Sequence, residues 1–279
     1  MKIRAGYRIT FDSPAPTPIL FMLSVHPELR ERLITPDAMT VSQPCDLSQY
    51  LDGFGNLVTR VIAPVGPVTF SSDFLIEDSG LPDVMTGTAG QVPVEDLPDE
   101  VLTFLLGSRY CETDAMSALA WSLFGATEPG WARVQAIVDY AHKQIAFDYQ
   151  QARATRSAHE GHGERVGVCR DYAHLAIALC RCMNIPARYC TGYLSDIGAP
   201  PLTAPMDFSA WFEAYLEGGW HTFDARFNAP RIGRILMARG RDATDVAIST
   251  TFGTTWLTQF EVTTEAYRDD PTTTLSAAE

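Results

Sequence analysis

Polar and apolar residues alternate from the start of the chain. In KIRAGYRITF (2–11) the odd positions Ile3, Ala5, Tyr7, Ile9 and Phe11 are apolar, and most even positions are polar. A period of two marks a half-buried strand. The run PILFMLSV (18–25) follows proline punctuation and predicts a buried strand. LDGFGN (51–56) carries turn residues between two further strand candidates, and VTFSSDFLIED (68–78) predicts another. Short strands broken by Gly, Pro and Asp predict a small β-sandwich over residues 1–80.

The texture changes near residue 80. SGLPDVMTGTAGQVPVEDLPDE (79–100) is rich in Gly, Pro and acids, so residues 81–104 read as a linker. Helical spacing follows: Val134, Ile137, Val138, Ala141 and Ile145 fall on one face of WARVQAIVDYAHKQI (131–145). DYQQARATRSAHEGHGER (148–165) shows no period and reads as a polar loop. CRDYAHLAIALCRCMNI (169–185) is apolar almost all round, the mark of a helix buried in mid-domain, and Asn184 and Pro186 stop it. PARYCTGYL (186–194) predicts a strand. DFSAWFEAYL, EGG and WHTFDARFN (207–228) predict a hairpin. If Glu217 and Gly218 form a two-residue turn, Leu216 faces Gly219 and Trp211 faces Asp224. Ser209 then lies one diagonal step from Asp224 on the same face.

Composition is that of an ordinary globular protein, with 46% hydrophobic and 20% charged residues among 279. The net charge of -13 repels phosphate, so neither nucleic acid nor an anionic membrane is expected as a partner. The first residues lack an apolar signal core, and no apolar run is long enough to span a bilayer. A cytoplasmic location is therefore expected. The six cysteines (Cys45, Cys111, Cys169, Cys180, Cys182 and Cys190) then read as reduced thiols, most of them buried.

Cys169 stands apart because it opens the buried helix. The helix dipole and free N–H groups at that end favour a thiolate and predict a lowered pKa. The Gly167-Val168 step lets backbone approach a substrate closely. N–H groups of the first turn are placed to meet an oxyanion, with Val168, Arg170 and Trp211 as the candidate oxyanion or cleft residues. Asp171 complements the positive helix end, and Arg170 is placed to pair with a carboxylate. Glu213 shares the face of Ser209 and Trp211 and suggests a polar network. The segment HEGH (159–162) is not a zincin motif, and adding Cys169, Cys180 or Cys182 gives no standard zinc spacing. No metal and no cofactor are expected.

Four ordered blocks remain: GVCRDYAHL, IPARYCTGYL, AWFEAYL and GWHTFD. Together they resemble the transglutaminase-like superfamily of papain-type cysteine enzymes, in particular bacterial members with an N-terminal β domain. The resemblance implies an α+β fold: a papain-like core, with the helix-borne cysteine packed on an antiparallel sheet, over residues 105–265, preceded by the sandwich and followed by a tail at 266–279. It also implies a Cys–His–Asp triad, which places Cys169 as nucleophile and Asp224 as the orienting acid. The family histidine precedes Ala-Trp. Here that position is Ser209, whose hydroxyl does not titrate near neutrality and cannot replace an imidazole base.

Other histidines are alternative bases. His159 and His162 lie in the polar loop ahead of Cys169. His221 is three residues before Asp224, which puts it on the opposite strand face. His174 lies about 140° round the helix from Cys169 and reads as a core residue. The expected activity is hydrolysis or acyl transfer on peptide, isopeptide or amide bonds through a thioester on Cys169, with a peptide or protein amide as partner. The alternative is a catalytically silent relative that binds a peptide or protein in the same cleft. A third reading makes the β domain an assembly module.

Overall fold

The computed structural model describes residues 1–200 and 206–268. Its first strands are β1 (Lys2–Ser13), β2 (Thr17–Phe21), β3 (Thr40–Val41), β4 (Leu47–Leu51), β5 (Leu57–Ala63) and β6 (Gly66–Glu77). Helices follow: α1 (Asp99–Leu102), α2 (Thr113–Phe124) and α3 (Trp131–Gln144). The short β7 (Ala146–Phe147) precedes α4 (Ala158–Glu164), and β8 (Val166–Gly167) precedes α5 (Cys169–Cys182). The chain then runs through β9 (Ala187–Leu194), β10 (Ser209–Leu216), β11 (Gly219–Phe223), β12 (Arg234–Gly240), β13 (Ser249–Thr251) and β14 (Trp256–Tyr267).

The alternating residues of β1 bury Ile3, Ala5, Tyr7, Ile9 and Phe11, as the pattern requires. The strands form two antiparallel sheets, ordered β14-β1-β6-β3 and β13-β2-β5-β4. Their facing side chains include Phe21 and Phe70, with ring centroids 4.7 Å apart. The sandwich is not built from residues 1–80 alone, because β13 and β14 return to pair with β2 and β1. The core segment expected to reach 265 therefore gives up its last strands to the sandwich. Ala266 and Tyr267, expected in a tail, lie in β14; the tail from 269 onward falls outside the described residues. The physical reason is that β1 carries apolar residues in a central position and needs hydrogen-bonded neighbours on both edges.

The segment read as a linker is clamped rather than free. The Asp83 carboxylate accepts from the backbone N–H of Arg231 and from the Arg234 guanidinium, each at 2.9 Å. Gln91 donates to the Met183 carbonyl at the end of α5. The polar loop before Cys169 also holds structure. Ser157 and Glu160 form a capping box that starts α4. Two glycines and two histidines inside that helix hide its period.

At the centre lies α5, packed on α2, α3 and α4 on one side and on β9 and β10 on the other. Every residue from Asp171 to Cys182 is buried. Asn184 closes the helix in the left-handed region at φ 61°. The buried cation of Arg181 is satisfied by carbonyls, donating to Ala187 at 2.8 Å and to Leu106 at 3.0 Å. The second sheet runs β11-β10-β9-β12. The hairpin pairs Leu216 with Gly219 and Phe212 with Phe223, so its register is the expected one. Even-numbered residues of β10 (Ala210, Phe212, Ala214 and Leu216) join the α5 core. Trp211 packs with Cys190 and Leu236 in a separate cluster.

A polypeptide of residues 1–80 exposes the hydrogen-bonding edges of β1 and β2 that β14 and β13 cover. It is expected to show no cooperative thermal transition by circular dichroism, whereas the full chain melts cooperatively.

Candidate active site

Cys169 is the first residue of α5 and lines a cleft of about 810 Å³. Asp171 positions it. The Asp171 carboxylate turns back to accept the Val168 N–H at 2.8 Å and the Arg156 guanidinium at 3.1 Å. Arg156 also holds Glu164 at 2.8 Å, which ties α4 to the foot of α5. The bare Gly167 is needed here, because a Cβ on it meets Asp171 Oδ2 at 2.5 Å. That glycine makes room for the helix cap, where the sequence suggested close approach of a substrate.

Val168 and Arg170 line the cleft as expected. The Val168 N–H, however, is committed to Asp171, so it does not serve an oxyanion. The N–H groups of Cys169 and Arg170 lie in the first turn and have no carbonyl of their own helix to bond. Arg170 donates to the Ala154 and Arg153 carbonyls and lies over the Tyr110 ring. Its nearest carboxylate oxygen is on Asp171, 3.7 Å away. Trp211 is not a cleft residue: the strand alternation turns it to the other face, under the Arg234 guanidinium. Glu213 pairs with Arg188 at 2.5 Å, in line with the expected polar network.

Ser209 also lines the cleft and is 6% exposed, and its hydroxyl has no partner among the described residues. The next residue, Ala210, donates its N–H to the Cys169 sulfur. Asp224 does not line this cleft. Its Oδ1 accepts the N–H groups of Arg226 and Phe227 at 3.0 Å each, and its Oδ2 pairs with Arg234 at 2.9 Å. It borders a smaller cavity of about 140 Å³ with Asp83, Gln135 and Asn228.

No histidine lines the Cys169 cleft among the described residues. His162 sits against Tyr140, its Nε2 2.7 Å from the phenol oxygen. His159 is exposed on α4. His221 stands opposite Ala214, bonds the Glu217 carbonyl and meets the Trp131 ring edge-on. These three alternative bases are therefore held away by α4 packing and strand alternation. His174 is a core residue, stacked on Tyr110 and accepting the Ala243 N–H at 3.1 Å. His142, for which the sequence offers no role, donates to the Arg226 carbonyl at 2.9 Å and so braces the turn after Asp224.

The surroundings of the thiol run against the expected low pKa. Burial pushes the Cys169 thiol up to about 11; the Arg226 guanidinium opposes this, and the Asp207 carboxylate adds to it. Asp207 and Tyr149 are the polar residues the pattern did not single out. Asp207 lines the cleft, accepts the Phe208 N–H at 2.6 Å and hydrogen-bonds the Tyr149 hydroxyl. Burial holds the Asp207 carboxyl above the usual range and pushes Tyr149 up to about 12. The motif D-F-S-A-W contained the signal: a carboxylate two residues ahead of the position where the resemblance expects the base.

Helix-borne thiol, antiparallel sheet and cleft together define a papain-like cysteine site. The transglutaminase-like superfamily model matches residues 117–225. A crystal structure from Cytophaga hutchinsonii, described provisionally as a cysteine protease, is 31% identical. It superposes with a TM-score of 0.83 over 97% of this chain and 92% of that one. The chain belongs to the transglutaminase-like superfamily. An uncharacterised Mycobacterium leprae protein is 28% identical over 208 residues, 71% of this chain and 73% of that protein. An uncharacterised Mycobacterium tuberculosis protein is 30% identical over 186 residues, and the match spans 58% of its length.

His174 also makes a pH prediction. Burial pushes it down to about 3, against about 6.5 in an unfolded chain. Between those values the unfolded state binds a proton that the folded state does not, so stability falls as pH drops through about 6.5. His174→Gln is expected to remove about 1.4 kcal/mol per pH unit from the slope between pH 6 and pH 4, measured by urea unfolding.

Proposed function

We propose that this protein binds peptide-like segments in the Cys169 cleft and does not turn over amide bonds unaided. The observation that carries this reading is the absence of any histidine from the described lining of the cleft, with Ser209 at the position where the family resemblance expects the base. Acyl transfer needs a base to form the thiolate, an acid to protonate the leaving amine, and a base again to activate water. A thiol held up at about 11 supplies little thiolate near neutrality, and a serine hydroxyl supplies none of the proton transfers. What survives is the binding half of a cysteine-protease-like site: an open cleft, walls from α5 and β10, and free N–H groups at a helix start.

One observation favours the hydrolase reading instead. Cys169 occupies the first helical position on the wall of that cleft, the place from which a nucleophile attacks. Peptide and protein amides are the ligand class under both readings. A cytoplasmic location is part of the proposal, and the six free cysteines are in keeping with it.

Alkylation by iodoacetamide, read cysteine by cysteine by mass spectrometry against pH, separates the two. Cys169 is expected to react slowly at pH 7, at least tenfold below a free cysteine peptide, with a rise only toward pH 10–11. Ser209→His is expected to raise the neutral-pH rate by tenfold or more. Fast alkylation of wild-type Cys169 near pH 6 would instead establish a working base, and the hydrolase reading would stand.

A further inference from the structure

The cleft has a chemical bias that thiol chemistry does not use. Its positive side chains are already engaged. Arg153 pairs with Glu160 and Glu164. Arg170 is spent on the Ala154 and Arg153 carbonyls. Behind the lining, Arg226 lies over the Phe147 ring at 3.9 Å and the Phe227 ring at 4.6 Å. Asp207 is the one carboxylate lining the cleft among the described residues, and it has no ion pair among them. Its bonds come from two neutral donors, the Phe208 N–H and the Tyr149 hydroxyl. Two residues along the chain, Ser209 contributes a buried hydroxyl with no partner. A largely buried carboxylate with no direct ion pair, on which the Arg226 guanidinium acts only at longer range, beside an unsatisfied hydroxyl on an open cleft, is costly in the free protein and is offset by a cationic ligand.

The geometry also narrows the cation. Asp207 Oδ1 is occupied by the Phe208 N–H at 2.6 Å. With the Tyr149 hydroxyl also bonded to it, about two of the carboxylate's roughly four lone-pair sites are taken, which disfavours the two parallel bonds of a guanidinium fork. A compact ammonium, with three donors on one nitrogen, needs a single carboxylate oxygen and nearby neutral acceptors.

We propose that Asp207, with Tyr149 and Ser209 beside it, forms a cation subsite that receives a lysine-type primary ammonium group of a peptide bound next to Cys169. The subsite rests on the reading of the cleft as a peptide site and names the side chain that this site selects.

Methanethiosulfonate reagents test it on the full chain. The Cys169 sulfur attacks the reagent's sulfenyl sulfur, a mixed disulfide forms, and methanesulfinate leaves. Rates at Cys169 are measured with ammonium-ethyl, neutral methyl and sulfonato-ethyl reagents. Each charged rate is divided by the neutral rate, which removes any change in thiol ionisation. The ammonium-to-neutral ratio is expected to exceed that of a free cysteine peptide by about fivefold. Asp207→Asn is expected to bring that ratio down to the peptide value, and Asp207→Glu to retain part of the preference. The neutral rate itself is expected to rise in Asp207→Asn, because the thiol loses an anionic neighbour. An unchanged ratio in Asp207→Asn, or a faster sulfonate reagent in the wild type, overturns the proposal.

A second measurement needs no variant. Nα-acetyl-lysine N-methylamide is expected to protect Cys169 from the neutral reagent at concentrations where the norleucine analogue does not. Equal protection by the two overturns the subsite. Because the ratios are normalised, they hold even where the iodoacetamide profile shows a reactive thiol, so failure of the silent-cleft reading and failure of the subsite are distinguishable.

Discussion

The foot of α5 is held by a single buried carboxylate. Asp171 accepts the Val168 N–H and the Arg156 guanidinium in a space that only a glycine at 167 leaves open. Arg156 reaches on to Glu164, so α4, the turn through β8 and the start of α5 are tied together. Removing one partner of such a buried pair costs about 3–5 kcal/mol, a large share of the roughly 5–15 kcal/mol that holds a domain folded. The placement of Cys169 follows from this anchor: the cap fixes where the helix begins, and the thiol is its first residue.

The same anchor limits what the helix end contributes to the thiol. A helix N-terminus contributes about 0.3–1 kcal/mol toward a nearby anion, less than one pKa unit, and Asp171 already occupies that positive end. Burial acts the other way and carries the thiol from 9.0 to about 11. Arg226 is the principal opposing cation, but it is stacked on two phenylalanine rings rather than paired with the sulfur. Asp207 adds a like charge on the thiolate side. Among the described residues no histidine lines the cleft to offer the thiolate an imidazolium partner.

Much of this was legible in the sequence, and what was not has identifiable causes. The period-two alternation of β1, the all-round apolar face of α5 and the Glu217-Gly218 turn each state their structure locally, and each appears as expected. The completion of the sandwich by β13 and β14 is a pairing across more than two hundred residues, which no local period encodes. α4 was hidden because its capping box leads into glycines and histidines instead of an apolar stripe. The raised thiol pKa depends on how deeply the cleft wall buries Cys169. The role of Asp207 depends on a tyrosine and a strand entry that are distant in sequence. Helix position together with the family resemblance singles out Cys169, while the surroundings of its thiol are set by tertiary burial.

Asp224 shows how the fold accommodates a serine at 209. A carboxylate whose one task is to orient an imidazole would be left buried and uncompensated once the ring is gone. Here Asp224 is satisfied without one, by two backbone N–H groups and by Arg234, and Arg234 in turn bridges to Asp83 in the segment between sandwich and core. The residual cost is the single unpartnered hydroxyl of Ser209, about 1–3 kcal/mol, which an intact domain of this size can carry. Asp224 thus serves as a structural brace between β11, β12 and the segment at Asp83, and His142 holds the turn that follows it.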